Sequence, residues 1–255
     1  MNIAVSRPDF VTQTDVVPEL WQFINGLRPD DLVTELIQNE IDAGSTHTTI
    51  SFERDRFTCS GNGQPVDGDG WKRLTYLRGA GDLAPRKRSM IGVKNHGLKA
   101  CFSIGDDIFI RSAGQYAQQT LYKNGYDQPP SPGASREALP DTSAPRDRGT
   151  VIEVPYRQKA IVVTTGEPLV LNACDQSVIH DLFLDAVNEI PARFIGILTP
   201  RFNPAYVLEL RHYALGKVIF SFEVTRSTSV GKLTSYQRKC LVSSEVAGVV
   251  AKPFE

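Results

Sequence analysis

The sequence predicts an α+β domain, a two-layer sandwich in which a mixed β-sheet is covered on one face by helices. Three observations lead to that expectation. Short β-prone runs recur near 47–53, 55–60, 107–113, 118–123, 149–154, 205–214 and 217–225, bounded by turn-forming residues. Two segments carry apolar residues at helical spacing, about 31–43 and 175–190, the latter through Val178, Leu182, Leu184, Val187 and Ile190. The chain has 255 residues of ordinary globular composition, enough for one large domain with a substantial core.

The elements follow in order. Residues 1–17 are polar and irregular and read as an N-terminal arm. Pro18 opens a predicted helix through Asn25, because proline is favoured in a first turn. Pro29 and Asp30 introduce the helix at about 31–43, and Gly44 is placed to cap its C-terminus. Residues 68–78 read as helical, with Trp71, Leu74 and Leu77 on one side. The stretch 79–90 is rich in Gly, Pro and basic residues, and a helix is expected over 98–104. Residues 125–148 contain five prolines and read as a mobile surface insertion. The runs 205–214 and 217–225 form a predicted hairpin over Leu215-Gly216. After 226 the composition turns polar.

Composition narrows the function classes. The formal net charge is −1, which argues against a broad nucleic-acid-binding surface. Arg86-Lys87-Arg88 is the local exception. Cys59, Cys101, Cys174 and Cys240 are scattered without a CxxC pair, so buried reduced thiols and a cytoplasmic location are expected. His47, His96, His180 and His212 form no metal-ligand spacing. The N-terminus lacks the apolar core of a signal peptide, and no apolar run approaches membrane-spanning length.

Three segments carry chemistry. In ELIQNEIDA, residues 35–43, Glu35 and Asn39 are four apart and share a helix face, with Asp42 following on the next turn. A carboxylate beside a carboxamide offers a base for water and an oxygen ligand for a hard cation, as Mg-nucleotide hydrolysis requires. In FTCSGNGQPV, a β-prone run enters a turn at Gly61 and Gly63, where the missing side chains allow close backbone approach. In IGVKNHGLKACFSIGD, Gly92 and Gly97 flank a turn before the expected 98–104 helix, an arrangement suited to anions.

The order ELIQNEIDA, CSGNG, IGVKNHGLK and then GTVIEV (149–154) resembles the GHKL ATPases of Bergerat fold. That family includes gyrase B subunits, MutL proteins, the ninety-kilodalton heat-shock chaperone, microrchidia proteins and sensor histidine kinases. The resemblance covers about residues 18–225, and the glycine segment is most similar to the microrchidia form. It implies that Glu35 activates the attacking water and that Asn39 is the Mg2+ ligand. It implies a nucleotide site lined by Asp42, Ala43, Cys59, Gly61, Gly63 and Thr150. It assigns the phosphate-cradling segment to Gly92, Val93, Lys94, Asn95, His96, Gly97, Leu98 and Lys99, and an ATP lid to 79–90. Glu35 favours a hydrolase over the kinase branch.

Two positions depart from the family pattern. Cys59 stands where an aspartate accepts the exocyclic amine of adenine, and a thiol is a weak acceptor. Thr58 and Ser60 cannot replace it, because neighbours along a strand face opposite ways; a bound water, or a side chain from elsewhere, could. Asn95 replaces a glycine, a mild change because Asn tolerates left-handed backbone. The resemblance implies Mg-ATP binding with slow hydrolysis, and homodimerisation on ATP binding. Residues 226–255 are too short for the transducer domain of the hydrolytic branches. The chain is therefore expected to be the N-terminal module of a larger protein, or to rely on a partner. The alternative is a non-hydrolysing nucleotide-sensing or scaffold module.

Overall fold

The computed structural model describes residues 29–74, 97–121, 139–163, 169–197, 205–212, 218–228 and 234–242. The expected arm, the 18–25 helix and the 79–90 lid lie outside them, as does most of the 125–148 insertion.

Helix α1 spans Pro29–Asp42. Pro29 occupies its first turn, where a missing N–H leaves no helical hydrogen bond unmade. The helix ends in a Schellman cap. Gly44 adopts φ +72°, its N–H donates to Ile41 O at 2.9 Å, and the Ser45 N–H donates to Glu40 O at 2.9 Å. Strands β1 (His47–Phe52) and β2 (Arg56–Gly61) follow as an antiparallel pair. A short helix α2 covers Gly68–Arg73. Gly97–Ser103 forms the expected helix, of 3-10 type.

Strands β3 (Asp107–Ser112) and β4 (Gln115–Thr120) form a hairpin, and β5 (Leu139–Pro140) pairs with β4. The end of the proline-rich stretch is thus part of the sheet. It is held there by Asp141 N to Gly114 O at 2.9 Å and Gly114 N to Pro145 O at 2.8 Å. Strand β6 (Thr150–Pro155) lies between β2 and β3, and β7 (Ile161–Val163) pairs with β8 (Leu169–Leu171) in a separate small hairpin. Helix α3, Gln176–Ile197, begins at an Asp175 cap whose Oδ1 accepts the Ser177 and Val178 amides at 3.0 Å. It continues past Pro191, where the sequence signal predicts a stop.

Strands β9 (Ala205–His212), β10 (Val218–Thr228) and β11 (Thr234–Val242) complete a nine-stranded sheet of order β11-β10-β9-β1-β2-β6-β3-β4-β5. All neighbours are antiparallel except β1 and β9, which makes the sheet mixed. A parallel pair needs a crossover, and α3, packed on α1, precedes β9. The predicted 205–225 hairpin forms. The sheet does not end at 225, however: β10 runs on and β11 adds an edge strand from a segment whose polar composition gives no strand signal.

One sheet face builds the core. Cross-strand neighbours Leu210, Ile50, Cys59, Ile152 and Ile110 run across five strands and are all buried, together with Leu32, Val33, Leu36, Ile37 and Ile41 of α1. The opposite face carries a charged row in which Arg56 pairs with Glu153, Glu153 with Arg111, and Arg111 with Asp141. Such partly exposed pairs contribute little each. Among the described residues no helix is long and apolar enough to cross a membrane. Cys59, Cys101 and Cys174 are free and buried.

The 3-10 helix is tied to the sheet by a fully buried guanidinium. Arg157 Nε donates to Asp106 Oδ1 at 2.7 Å, and its other nitrogens reach the carbonyls of Phe102 at 2.6 Å, Gly105 at 3.0 Å and Ser103 at 3.2 Å. Arg157→Met would leave a buried carboxylate and several carbonyls unpaired. A loss of about 3–5 kcal/mol is expected in urea unfolding. His212 is buried against Phe52 and Phe183, with ring centroids 6.5 and 5.0 Å away. Burial, reinforced by neighbouring His180, lowers its pKa. The unfolded chain then takes up a proton that the folded chain resists. This contribution to stability is therefore present above about pH 6.5 and is lost as pH drops below it. In melting scans from pH 8 to 5 the unaltered chain should lose more stability toward acid than His212→Phe, the difference between the two isolating this residue.

Candidate functional site

The polar edge of α1 forms one wall. Glu35 and Asn39, one turn apart, and Asp42 beyond them are partly exposed, whereas Leu32, Leu36 and Ile37 are buried. The start of the 3-10 helix meets this edge. A Cβ added to Gly97 would lie 2.7 Å from Glu35 Oε2 and 3.2 Å from Asn39 Nδ2. Glycine is what permits this approach. The glycine segment and the carboxylate–amide pair, distant in sequence, therefore come into contact.

The second wall is the turn after β2. A Cβ on Gly63 would come within 2.8 Å of the Ala43 Cβ and 2.9 Å of its carbonyl oxygen, and the Gln64 amide donates to that oxygen at 2.7 Å. Asn62 fastens the turn to the end of α1. Its Oδ1 accepts from Ser45 Oγ at 3.0 Å, Thr46 N at 2.9 Å and His47 N at 3.1 Å. Thr150 stands opposite Gly61 at the start of β6, its hydroxyl 3.0 Å from that of Ser112. Cys59, Gly61 and Thr150 thus lie on the helix-covered side of the sheet, beside Ala43 and Gly63.

Other expected residues fall differently. Gly92, Val93, Lys94, Asn95 and His96 lie outside the described residues. Leu98 packs against the core. Lys99 is buried, and its ammonium donates to Leu74 O at 3.0 Å and to Gln119 Oε1 at 3.4 Å. Burial lowers its pKa to about 8. Its charged end thus points into the packing between α2 and β4 and not along the Glu35–Asn39 edge. The Cys59 thiol is fully buried, and burial first, then Glu40 and Cys101, pushes its pKa well up. It is therefore a neutral thiol.

Sequence reasoning missed Glu40. It follows Asn39 but points to the sheet and is 5% exposed. Burial raises its pKa to about 7, opposed by a hydrogen bond with Ser45. Its Oε2 is buried with no hydrogen-bond partner among the described residues, and it lies directly over Gly61, where any Cβ would collide with it. The signal was available: a carboxylate stands within the apolar stripe of Val33, Leu36, Ile37 and Ile41, where a solvated acid has no place.

Among the described residues, no group of three or more His, Cys, Asp or Glu side chains could hold a metal ion. No family model matches the chain, and no curated protein matches it. Among solved structures, the chain is similar to one described as the crystal structure of the N-terminal domain of a DNA repair protein. The TM-score is 0.40 and the identity 15%, over 82% of this chain and 57% of that one. The chain thus spans a little over half the length of that structure, and a likeness of this size carries no argument about function.

The fit of the Gly63 turn against α1 is directly testable. Gly63→Ala forces a methyl group onto the Ala43 backbone, which cannot swing aside as a side-chain tip can. A loss of about 1–3 kcal/mol is expected, read as a lowered urea midpoint with unchanged slope.

Proposed function

We propose that this chain is a Mg2+-dependent ATP-binding and ATP-hydrolysing module of Bergerat (GHKL) type, whose nucleotide state drives a conformational or dimerisation switch. The observation that carries this reading is the approach of Gly97 to Glu35 and Asn39. It joins a base, an amide ligand and a glycine-rich backbone at one edge of α1, and the Gly61–Gly63 turn and Thr150 adjoin the far end of that helix.

The residues present fit Mg2+. This ion keeps several waters and is commonly held by one or two side chains together with substrate phosphates. Asn39 offers an amide oxygen and Asp42 a carboxylate on the following turn, so no all-protein cage is required. When bound, Mg2+ neutralises charge on the phosphates. The chain's own contribution is positional. Glu35, partly exposed at the helix edge, takes the proton of the attacking water. Gly97 keeps the space beside it free of side-chain atoms, and the segment from Gly92 to Gly97 holds the triphosphate, with Leu98 and Lys99 packed inward. The lid at 79–90 closes over the nucleotide, and the N-terminal residues join two copies.

A non-hydrolysing sensor is the second reading, favoured by the neutral thiol at Cys59. One experiment separates the two. At one hundred times its dissociation constant a ligand stabilises by about 2.7 kcal/mol, and each kcal/mol moves the midpoint of a domain this size by about 2–4 °C. A Mg-dependent rise of roughly 5–10 °C with ATP is expected on those grounds. Glu35→Ala should keep that rise and lose phosphate release. Turnover in Glu35→Ala would remove Glu35 as the base. Binding without turnover in the unaltered chain would establish the sensor. No rise with any nucleotide would end both readings.

A further inference from the structure

Glu40 is a buried carboxyl group that the proposed mechanism leaves unused. It is 5% exposed, with Oε2 lacking any hydrogen-bond partner among the described residues. Its carboxyl group hydrogen-bonds with Ser45, lies over the Gly61 backbone, and acts electrostatically on the Cys59 thiol and Tyr206. None of these completes it. The Tyr206 hydroxyl donates to Thr48 Oγ1 at 2.7 Å, and Ser45 Oγ also faces His47 O at 2.8 Å and Asn62 Oδ1 at 3.0 Å. Among the described residues no cation pairs with Glu40.

An unsatisfied buried carboxyl oxygen is costly, and native structures seldom keep one without a reason. A cation is a poor candidate to fill the gap, because no cluster of further acidic, His or Cys ligands surrounds the carboxyl group among the described residues. A neutral donor on a flat ligand fits better. Gly61 puts no side-chain atoms beneath the carboxyl group, and the buried Cys59 and Tyr206 are near enough to feel its charge.

We infer that Glu40 accepts a hydrogen bond from the exocyclic amine of a bound adenine, so that this buried helix carboxylate, and no side chain of β2, sets the base preference of the site. The inference rests on the nucleotide reading above. Its chemistry is selective: a carboxylate oxygen attracts the 6-amino group of adenine and repels the carbonyl oxygen that guanine and hypoxanthine carry at the same position. The glycine at 61 and the glutamate at 40 then form one unit, since a side chain at 61 would displace the carboxylate.

The test compares ADP with purine riboside diphosphate, which has hydrogen in place of the amine, by calorimetry with Mg2+. The unaltered chain should prefer ADP by about 10- to 100-fold, the range of a hydrogen bond to a charged group. Glu40→Leu should bring that ratio close to one by weakening ADP alone. Glu40→Gln keeps the volume and serves if the leucine variant does not fold; its weaker neutral acceptor should lower the ratio severalfold. An equal affinity for the two ligands in the unaltered chain, or an unchanged ratio in the variants, overturns the role of Glu40 and leaves nucleotide binding standing. Failure of both ligands to bind the unaltered chain overturns the nucleotide reading and this inference together.

Discussion

Helix α1 lies over the sheet with Leu32, Leu36, Ile37 and Ile41 in one buried cluster with Ile50, Phe52, Phe57 and Cys59. Each such side chain contributes about 1.5–3 kcal/mol when removed from water. Together they fix both the height and the rotation of the helix. Rotation is the consequential quantity, because residues three and four apart share a face. Once the apolar stripe is buried, Glu35 and Asn39 must emerge at the edge that meets Gly97, and Glu40 must turn toward β2. Neither position could be changed without unpacking the other.

The remaining architecture serves that placement. The Schellman cap at Gly44 turns the chain directly into β1, and Asn62 ties the same connection to the Gly61–Gly63 turn. The two ends of the candidate site are therefore held by short-range hydrogen bonds that tolerate little drift. The 3-10 helix is positioned from behind by Arg157, whose bonds to Asp106 and three carbonyls satisfy groups that a short helix leaves open. Buried polar groups hold the structure together here where they are paired, whereas one oxygen of Glu40 has no hydrogen-bond partner among the described residues.

Much of the fold was legible in the sequence, for identifiable reasons. Alternation placed β1, β2, β3 and β6 within a residue or two, since a sheet with one buried face imposes a period of two. Pro29 and Gly44 marked both ends of α1. The failures are equally physical. Strand β11 and the end of β10 come from polar sequence, and an edge strand needs backbone pairing more than apolar content. Helix α3 passes through Pro191, where local rules predict a stop. The 3-10 form of Gly97–Ser103 is a local choice that an apolar pattern over so few residues cannot specify.

What the sequence determined by itself was a set of local facts: a carboxylate and an amide one turn apart, glycines where side chains would obstruct, and the periods of the main strands. These depend on neighbours within a few positions. Tertiary structure alone decided which of those features meet. Gly97 lies against Glu35 and Asn39, Lys99 turns inward to Leu74 and Gln119, and Glu40 faces Cys59 and Gly61. Such contacts join residues far apart in the chain, and their partners are set by how one helix rotates on the sheet, a quantity fixed by the packing of the whole core.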